Sequence, residues 1–131
     1  MKIIKQIYLM NAPVADVWHA LVNSKNIAAW GAGPAKMDGK TGTEFTLWGG
    51  SIWGKNIKVI PEKELVQEWF SEEDGHWDKP SIVTFTLKQE ENGTRVELLH
   101  TDVPDMFAKN IEDGWKEYYL GPLRDYVESQ V

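Results

Sequence analysis

The sequence contains no cysteine among its 131 residues. A disulfide framework and a thiolate metal site are therefore excluded, and a reducing compartment is the simpler expectation. The sequence also has no apolar run long enough to cross a bilayer, so no membrane span is predicted. Charged and polar residues follow Met1 within a few positions, which argues against a signal peptide. We therefore predict a cytoplasmic protein.

Positive charge is in deficit. The chain has 14 Lys and Arg residues against 20 Asp and Glu residues, and its formal net charge is −6. A general nucleic-acid binder needs clustered Lys and Arg to displace counterions from phosphates. We therefore predict no nucleic-acid partner.

Signatures of catalytic and metal sites are missing as well. The segment Gly39–Thr41 ends like a phosphate-binding loop, but the position that requires a glycine is Pro34. The histidines His19, His76 and His100 are scattered and form no pair at metal-ligand spacing. We predict no catalytic residue set, no metal and no cofactor, and we expect that the protein is not an enzyme.

Aromatic side chains, by contrast, are in excess. Seven tryptophans are more than a core of this size requires, and each brings a large apolar body with one N–H that needs an acceptor. This surplus of aromatic area indicates a protein that binds apolar material.

The stretch from Asp105 to Val131 predicts a long amphipathic C-terminal helix, because its apolar residues recur every four positions. That stripe consists of Phe107, Ile111, Trp115, Tyr119, Leu123 and Val127. Gly121 and Pro122 interrupt the pattern, since proline removes a helical hydrogen bond and clashes with the preceding turn. We expect the helix to kink or restart there.

Upstream of this helix the pattern is typical of strands. Lys2 to Met10 predicts a first strand, and two short helices follow it, the second capped by Ser24. From Thr43 to Val103 apolar and polar residues alternate with a period of two, divided by turn residues. We predict an α+β fold over residues 1–131 as a single domain. A curved antiparallel sheet of about seven strands should wrap around the C-terminal helix.

Gly49 and Gly50 predict a two-residue hairpin turn in which Trp48 pairs with Ser51 and Leu47 pairs with Ile52. That register places Trp48 and Trp53 together on the outer face of the sheet, as a patch for a partner protein, a second copy of the chain, or the loop that carries Trp77. The alternative is a bulge at Gly54 that rotates Trp53 inward.

The segment Ser71–Pro80 is the longest irregular stretch between strands, and it contains His76 and Trp77. Segments of this length and charge are candidates for a mobile mouth or a partner contact.

A helix that packs on a curved sheet encloses a cavity, and the inward-facing residues are its predicted walls. They are Phe45, Leu47, Gln67, Trp69, Phe85, Leu98, His100, Phe107, Ile111, Trp115 and Tyr119. These side chains could contact a ligand, or they could fill the space as core. For His100 and Gln67 the alternative to ligand contact is a hydrogen bond to another side chain or to water.

Four stretches of the chain, taken together, resemble a known family. They are NAPVADVW (residues 11–18), FTLWGGSIWG (45–54), IPEKELVQEW (60–69), and Val103–Pro104 together with GWKEYY (114–119). They are similar to the C-terminal domain of activators of the heat-shock protein 90 ATPase, in the START-like SRPBCC superfamily.

This resemblance implies the helix-grip fold of that superfamily. For function it implies a non-enzymatic domain that binds a hydrophobic small molecule. A co-chaperone or other protein-interaction module is the second expectation, and a cyclase-like or hydrolase-like enzyme is the third. The family supplies no catalytic residue set that carries over onto these positions.

Overall fold

The computed structural model of the protein describes residues 1–71 and 79–130. It contains a six-stranded antiparallel sheet, in the order β1-β6-β5-β4-β3-β2, that curves around a long C-terminal helix. The strands are β1 (Lys2–Met10), β2 (Glu44–Leu47), β3 (Ile52–Ile60), β4 (Glu64–Ser71), β5 (Ser81–Glu90) and β6 (Gly93–Val103). The predicted α+β helix-grip fold is confirmed.

The predicted number of about seven strands is wrong, because the described residues contain six. The segment between the short helices and β2 makes a single bridge to the sheet, between Lys36 and Thr46. Gly33, Pro34 and Gly39 lie in this segment, and such residues disfavour a continuous strand.

Alternation of buried and accessible residues is regular through β4, β5 and β6. Each of these strands therefore turns one row of side chains toward the helix and the other away from it. The buried row consists of Leu65, Gln67, Trp69, Ser71, Ser81, Val83, Phe85, Leu87, Thr94, Val96, Leu98 and His100. This row is the floor on which the C-terminal helix packs.

Two short helices follow β1. Helix α1 (Val14–Val22) begins directly after Pro13, whose extended backbone provides the N-cap. Helix α2 (Ser24–Ile27) is capped by Asn23, not by Ser24 as predicted, because the Asn23 side-chain oxygen accepts hydrogen bonds from the backbone N–H groups of Lys25 and Asn26.

The C-terminal helix (residues 105–129) changes its winding along its length. A 3-10 turn (Asp105–Phe107) leads into α3 (Ala108–Gly114), which is followed by a π-helical segment (Trp115–Leu120) and by α4 (Gly121–Ser129). The predicted stripe packs inward from Ile111 onward, and Trp115, Tyr119, Leu123 and Val127 are buried. Phe107 is only half-buried and belongs to the 3-10 turn.

At Gly121 and Pro122 the helix neither restarts nor breaks. Instead the winding widens in the preceding turn, and the N–H of Gly121 donates to the carbonyl oxygen of Lys116, five residues earlier. A Cβ atom on residue 121 would overlap that oxygen, so the wide turn requires glycine there. The missing N–H of Pro122 is thus accommodated by a π turn.

Within residues 1–71 and 79–130, every helix is too short or too polar to traverse a lipid bilayer.

Candidate ligand-binding cavity

A cavity of about 610 Å³ lies between the C-terminal helix and the sheet, where β3 begins and β4 ends. This volume falls within the range of small-molecule sites, roughly 300–1,000 Å³. The lining residues are Trp48, Ser51, Ile52, Trp69, Ser71, His100, Asn110, Ile111, Gly114, Trp115, Tyr118 and Tyr119. Among the described residues, no Asp, Glu, Lys or Arg lines it.

The structure brings several of the predicted wall residues together at this cavity. Trp69 and His100 reach it from the sheet, and Ile111, Trp115 and Tyr119 reach it from the helix. Whether they contact a ligand stays a prediction.

Other predicted wall residues lie elsewhere. Phe45, Leu47, Gln67, Phe85 and Leu98 are buried in the core beside the cavity and do not line it. They belong to the same inward face as the wall residues, but other core side chains cover them, as Met37 and Asn56 do for Gln67.

Phe107, the remaining predicted wall residue, precedes α3 and does not line the cavity either. The packed stripe begins one repeat later, at Ile111.

The predicted pairing of Leu47 with Ile52 is correct, but the predicted two-residue turn is wrong, because Trp48–Gly50 forms a 3-10 turn and Trp48 does not pair with Ser51 in the sheet. The predicted outer patch of Trp48 and Trp53 is wrong for Trp48. Trp48 has a left-handed backbone (φ 49°), so it departs from the strand alternation and its ring turns inward. Its indole N–H donates to the carbonyl oxygen of Gly31 at 3.1 Å, and its ring lies 6.3 Å from the ring of Tyr119.

Trp53, in contrast, stays on the outer face. It is 41% exposed and stacks on Phe70 of the neighbouring strand, with ring centroids 5.8 Å apart. The strand irregularity in β3 lies between Asn56 and Lys58, so the alternative of a bulge at Gly54 that turns Trp53 inward is not realised. A partner contact at Trp53 stays a prediction.

His100 is held in a hydrogen-bonded chain at the sheet side of the cavity. The indole N–H of Trp115 donates to His100 Nδ1 at 3.0 Å, and His100 Nε2 lies 2.8 Å from the Ser81 hydroxyl. Indole is a donor only, so Nδ1 is the acceptor and the ring proton sits on Nε2. Burial lowers the pKa of His100 to about 4. The ring is therefore neutral at physiological pH.

Gln67 belongs to a second buried chain. The N–H of Trp69 donates to the Gln67 oxygen at 2.7 Å, and the Gln67 amide donates to the Asn56 oxygen at 2.8 Å. The Asn56 amide donates in turn to the carbonyl oxygen of Asp38, also at 2.8 Å. Since the chain runs from a donor-only indole to a backbone acceptor, each amide orientation is determined. The hydrogen-bond partners of Gln67 are therefore protein groups.

Tyr119 occupies the centre of an aromatic cluster. The rings of Trp30, Trp48, Trp69, Phe85 and Trp115 lie within 6.3 Å of its ring. Its hydroxyl is buried without a hydrogen-bond partner among the described residues, and burial raises its pKa well above the usual value. Tyr119 is thus positioned by ring packing.

Sequence reasoning missed several lining residues: Ser51, Ile52, Ser71, Asn110, Gly114 and Tyr118. Asn110 and Tyr118 lie one residue before Ile111 and Tyr119, and helix residues that flank a buried stripe are the natural rim of a site beneath it. That signal was present in the sequence, whereas nothing local marked the two serines.

The histidines do not assemble into a metal site in the part of the chain that the structure describes, where no group of three or more His, Asp or Glu side chains converges. His76 and Trp77, and with them the predicted mouth or contact segment, lie outside the described residues.

Comparison with known proteins gives one family for most of the chain. The family of Activator of Hsp90 ATPase homolog 1-like proteins matches residues 11–128. An "Activator of 90 kDa heat shock protein ATPase homolog" from Dictyostelium discoideum is 32% identical over 113 residues, covering 83% of this chain and 28% of that protein. The chain spans about a third of the length of the curated relatives it matches.

Two solved structures have the same architecture. An HSP90 activator from Plasmodium falciparum superposes with a TM-score of 0.82 at 22% identity, with 92% of each chain covered. At that identity the likeness concerns the fold alone. CalU16 from Micromonospora echinospora is 29% identical, with a TM-score of 0.78, and the match covers 98% of this chain and 74% of that one.

Proposed function

The chain belongs to the family of Activator of Hsp90 ATPase homolog 1-like proteins, and on that premise we propose that it binds an uncharged hydrophobic small molecule beneath its C-terminal helix. The observation that carries this proposal is the cavity of about 610 Å³, whose wall is rich in aromatic side chains and, among the described residues, carries no Asp, Glu, Lys or Arg. Binding sites for small molecules combine such walls with a few polar groups, which Ser51, Ser71 and Asn110 provide here.

The backbone at the cavity supports the same proposal. Trp48 is a bulky residue with a positive φ, and two further positive values follow at Gly49 and Gly50. For a residue with a side chain, such as Trp48, this conformation costs of order 1–3 kcal/mol, and strained residues of this kind cluster at ligand sites, where the surrounding structure holds them. Glycine adopts the same conformation without that cost. Here the strained turn directs an indole ring toward the cavity.

We further propose that the protein acts without catalysis. The ionisable groups on the described cavity wall are His100, Tyr118 and Tyr119. His100 has both ring nitrogens engaged and stays neutral, and burial opposes ionisation of Tyr119. Neither group is poised to transfer a proton near pH 7, where an efficient acid or base would titrate.

We propose that residues 1–131 act as one domain and that the protein works in the cytoplasm. The described residues pack around one continuous core, which supports the first point. The lack of cysteine supports the second.

Native mass spectrometry of the protein purified from its own source tests the binding proposal directly. We expect a co-purifying small molecule of low polarity. Amide NMR spectra recorded with the uncharged dye N-phenyl-1-naphthylamine supply a second test, in which signals near Ile52, Trp69 and Trp115 should shift. A protein that carries no ligand and shows no shift at these positions would contradict the proposal.

A second function, contact with a heat-shock protein 90, is favoured by one observation on the outer face. Trp53 and Phe70 stack nearly parallel, at an interplanar angle of 10°, and Trp53 is partly exposed. Tryptophan is enriched among the residues that contribute most of the binding energy of protein interfaces. Curated relatives are named as activators or co-chaperones of this chaperone.

The variant Trp53→Ser tests this contact, and Leu9→Ser is its matched control because Leu9 is 65% exposed on β1, at the opposite end of the sheet. We expect Trp53→Ser to weaken binding to purified heat-shock protein 90 by about ten-fold or more, as loss of an aromatic interface anchor does, and Leu9→Ser to leave it unchanged. Equal binding by both variants and the unmodified protein would refute a role for this face. A change in sedimentation for Trp53→Ser alone would point to self-association instead.

A further inference from the structure

Gly114 occupies a position that the fold itself does not reserve for glycine. Its backbone is helical (φ −63°, ψ −35°), and it is followed by Trp115, which is also helical. A Cβ atom at residue 114 would have the Tyr118 ring as its nearest neighbour, at 3.9 Å, which is ordinary van der Waals contact. Because glycine is among the least favourable residues inside a helix, alanine would suit this site better.

Gly121, in the same helix, shows what a structurally required glycine looks like. A Cβ atom there would overlap the carbonyl oxygen of Lys116. The two positions therefore differ in kind, since packing excludes a side chain at residue 121 and permits one at residue 114.

The space that Gly114 leaves open belongs to the cavity. Gly114 lines it together with Ile111 and Tyr118, which lie three residues before it and four after it on the same side of the helix. A glycine at a cavity wall lets a ligand approach the helix backbone closely, which a methyl group would prevent. Gly114 is unfavourable for the helix and open toward the cavity, which indicates that a ligand needs the space that a side chain would occupy.

The chemistry of the surrounding wall indicates the ligand class. Trp48, Trp69, Trp115 and Tyr118 contribute flat aromatic surfaces, and no Asp, Glu, Lys or Arg among the described residues faces the cavity. A charged ligand would lose its hydration there without gaining a counter-charge from the described part of the wall. A flat, uncharged molecule fits both the shape and the polarity of this wall.

We propose that Gly114 is a specificity-determining residue of the cavity, and that it seats an uncharged planar aromatic ligand against the backbone of the C-terminal helix. This inference rests on the proposed small-molecule function and names its ligand class. Glycine at position 114 lowers the stability of the helix and leaves space for the ligand.

The test compares Gly114→Ala with the unmodified protein, and Glu117→Ala serves as control because Glu117 is an exposed residue of the same helix that does not line the cavity. The probe is N-phenyl-1-naphthylamine, which is uncharged and aromatic, and its fluorescence gives the Kd by titration. We expect Gly114→Ala to raise Tm by about 3 °C through its better helix propensity. We expect the same variant to bind the probe about ten-fold more weakly or worse, as an added methyl group in a filled pocket does. Glu117→Ala should leave the Kd unchanged.

Three results would overturn the inference, and they separate it from the proposed function. If Gly114→Ala raises Tm but binds the probe as tightly as the unmodified protein, Gly114 does not determine how the ligand binds. The proposal that the cavity binds a small molecule is unaffected by that result. If Gly114→Ala lowers Tm, the glycine has a structural role. If the unmodified, folded protein binds no probe and no cavity amide signal shifts, both the inference and small-molecule binding of this class fail.

Discussion

We predict that acid lowers the stability of the protein through His100. The imidazole is buried and neutral, with Nδ1 accepting from Trp115 and Nε2 facing Ser81. Protonation of Nδ1 would break the bond from Trp115 and place an uncompensated charge in the core. The unfolded chain has no such penalty, so its histidine takes up a proton at a higher pH than the folded protein does.

The sign and the size follow from the two pKa values. The pKa of His100 is about 4 in the folded protein and 6.5 in the reference state. A lowered folded pKa contributes stability that is fully present above pH 6.5 and is lost as the pH falls toward 4. At about pH 5 the unfolded histidine is protonated and the folded one is still neutral. The loss there is roughly 1.5 pKa units at about 1.4 kcal/mol each, or about 2 kcal/mol.

Urea denaturation at about pH 7.5 and about pH 5 measures this loss, with His100→Asn as the reference. The asparagine oxygen provides an acceptor for the Trp115 N–H and does not titrate. His19 and His76 are present in both proteins, so their contributions cancel in the difference. We expect the stability advantage of the unmodified protein to shrink by about 2 kcal/mol between the two pH values.

A parallel loss of stability in both proteins would refute this reasoning. So would nitrogen NMR shifts showing that the proton of neutral His100 sits on Nδ1, since the donor-only indole of Trp115 could not then bond to it.

Three further outcomes follow from the packing of the tryptophans and of the C-terminal helix. Trp115→Ala should lower the free energy of unfolding by about 3–5 kcal/mol, because Trp115 is buried at 3% exposure, and an unchanged urea midpoint would show that the stripe does not face the sheet. Gly121→Ala should destabilise by more than about 1 kcal/mol, opposite in sign to Gly114→Ala, and a raised Tm would contradict the π turn. In single-tryptophan variants acrylamide should quench Trp53 more than Trp115, and shielding of Trp53 in the monomer would argue against an outer-face patch.

The fold was predictable because its main signals are local. Alternation such as Val83, Phe85 and Leu87 specifies which face of a strand is buried without knowledge of the neighbouring strands. The apolar stripe of the C-terminal helix predicts the second layer, because the apolar face of the helix and the apolar face of the sheet can bury each other. What such patterns do not specify is how far a segment pairs: Lys36, in the segment before β2, makes an isolated bridge to Thr46.

The residues that line the cavity were less predictable, because the lining depends on the backbone conformation of single residues. Alternation assigned Trp48 to the outer face, yet a positive φ at that residue turns it to the inner one. Similarly, Gln67 and His100 are both buried on the inward row, but only His100 lines the cavity. The sequence offers no local distinction between an inward residue that other core side chains cover and one that lines the cavity.

The four-residue spacing of the apolar stripe in the C-terminal helix bears on the winding of that helix. An α-helix has 3.6 residues per turn, so residues four apart are rotated by about 40°. Over the four steps from Ile111 to Val127 that drift would amount to roughly 160°, and Val127 would point almost away from the sheet. Val127 is nevertheless buried at 1% exposure. The π segment at Trp115–Leu120 winds more slowly than an α-helix and so reduces this drift, and Gly121 accommodates the carbonyl oxygen that the wide turn brings close. Helix α4 also packs against α1, the segment Ala28–Ala32 and β1, which bury side chains that have rotated away from the centre of the sheet. In this helix the four-residue period that runs through Gly121 therefore coincides with a π turn. In this protein the turn lies at the cavity wall, where π turns are often functional.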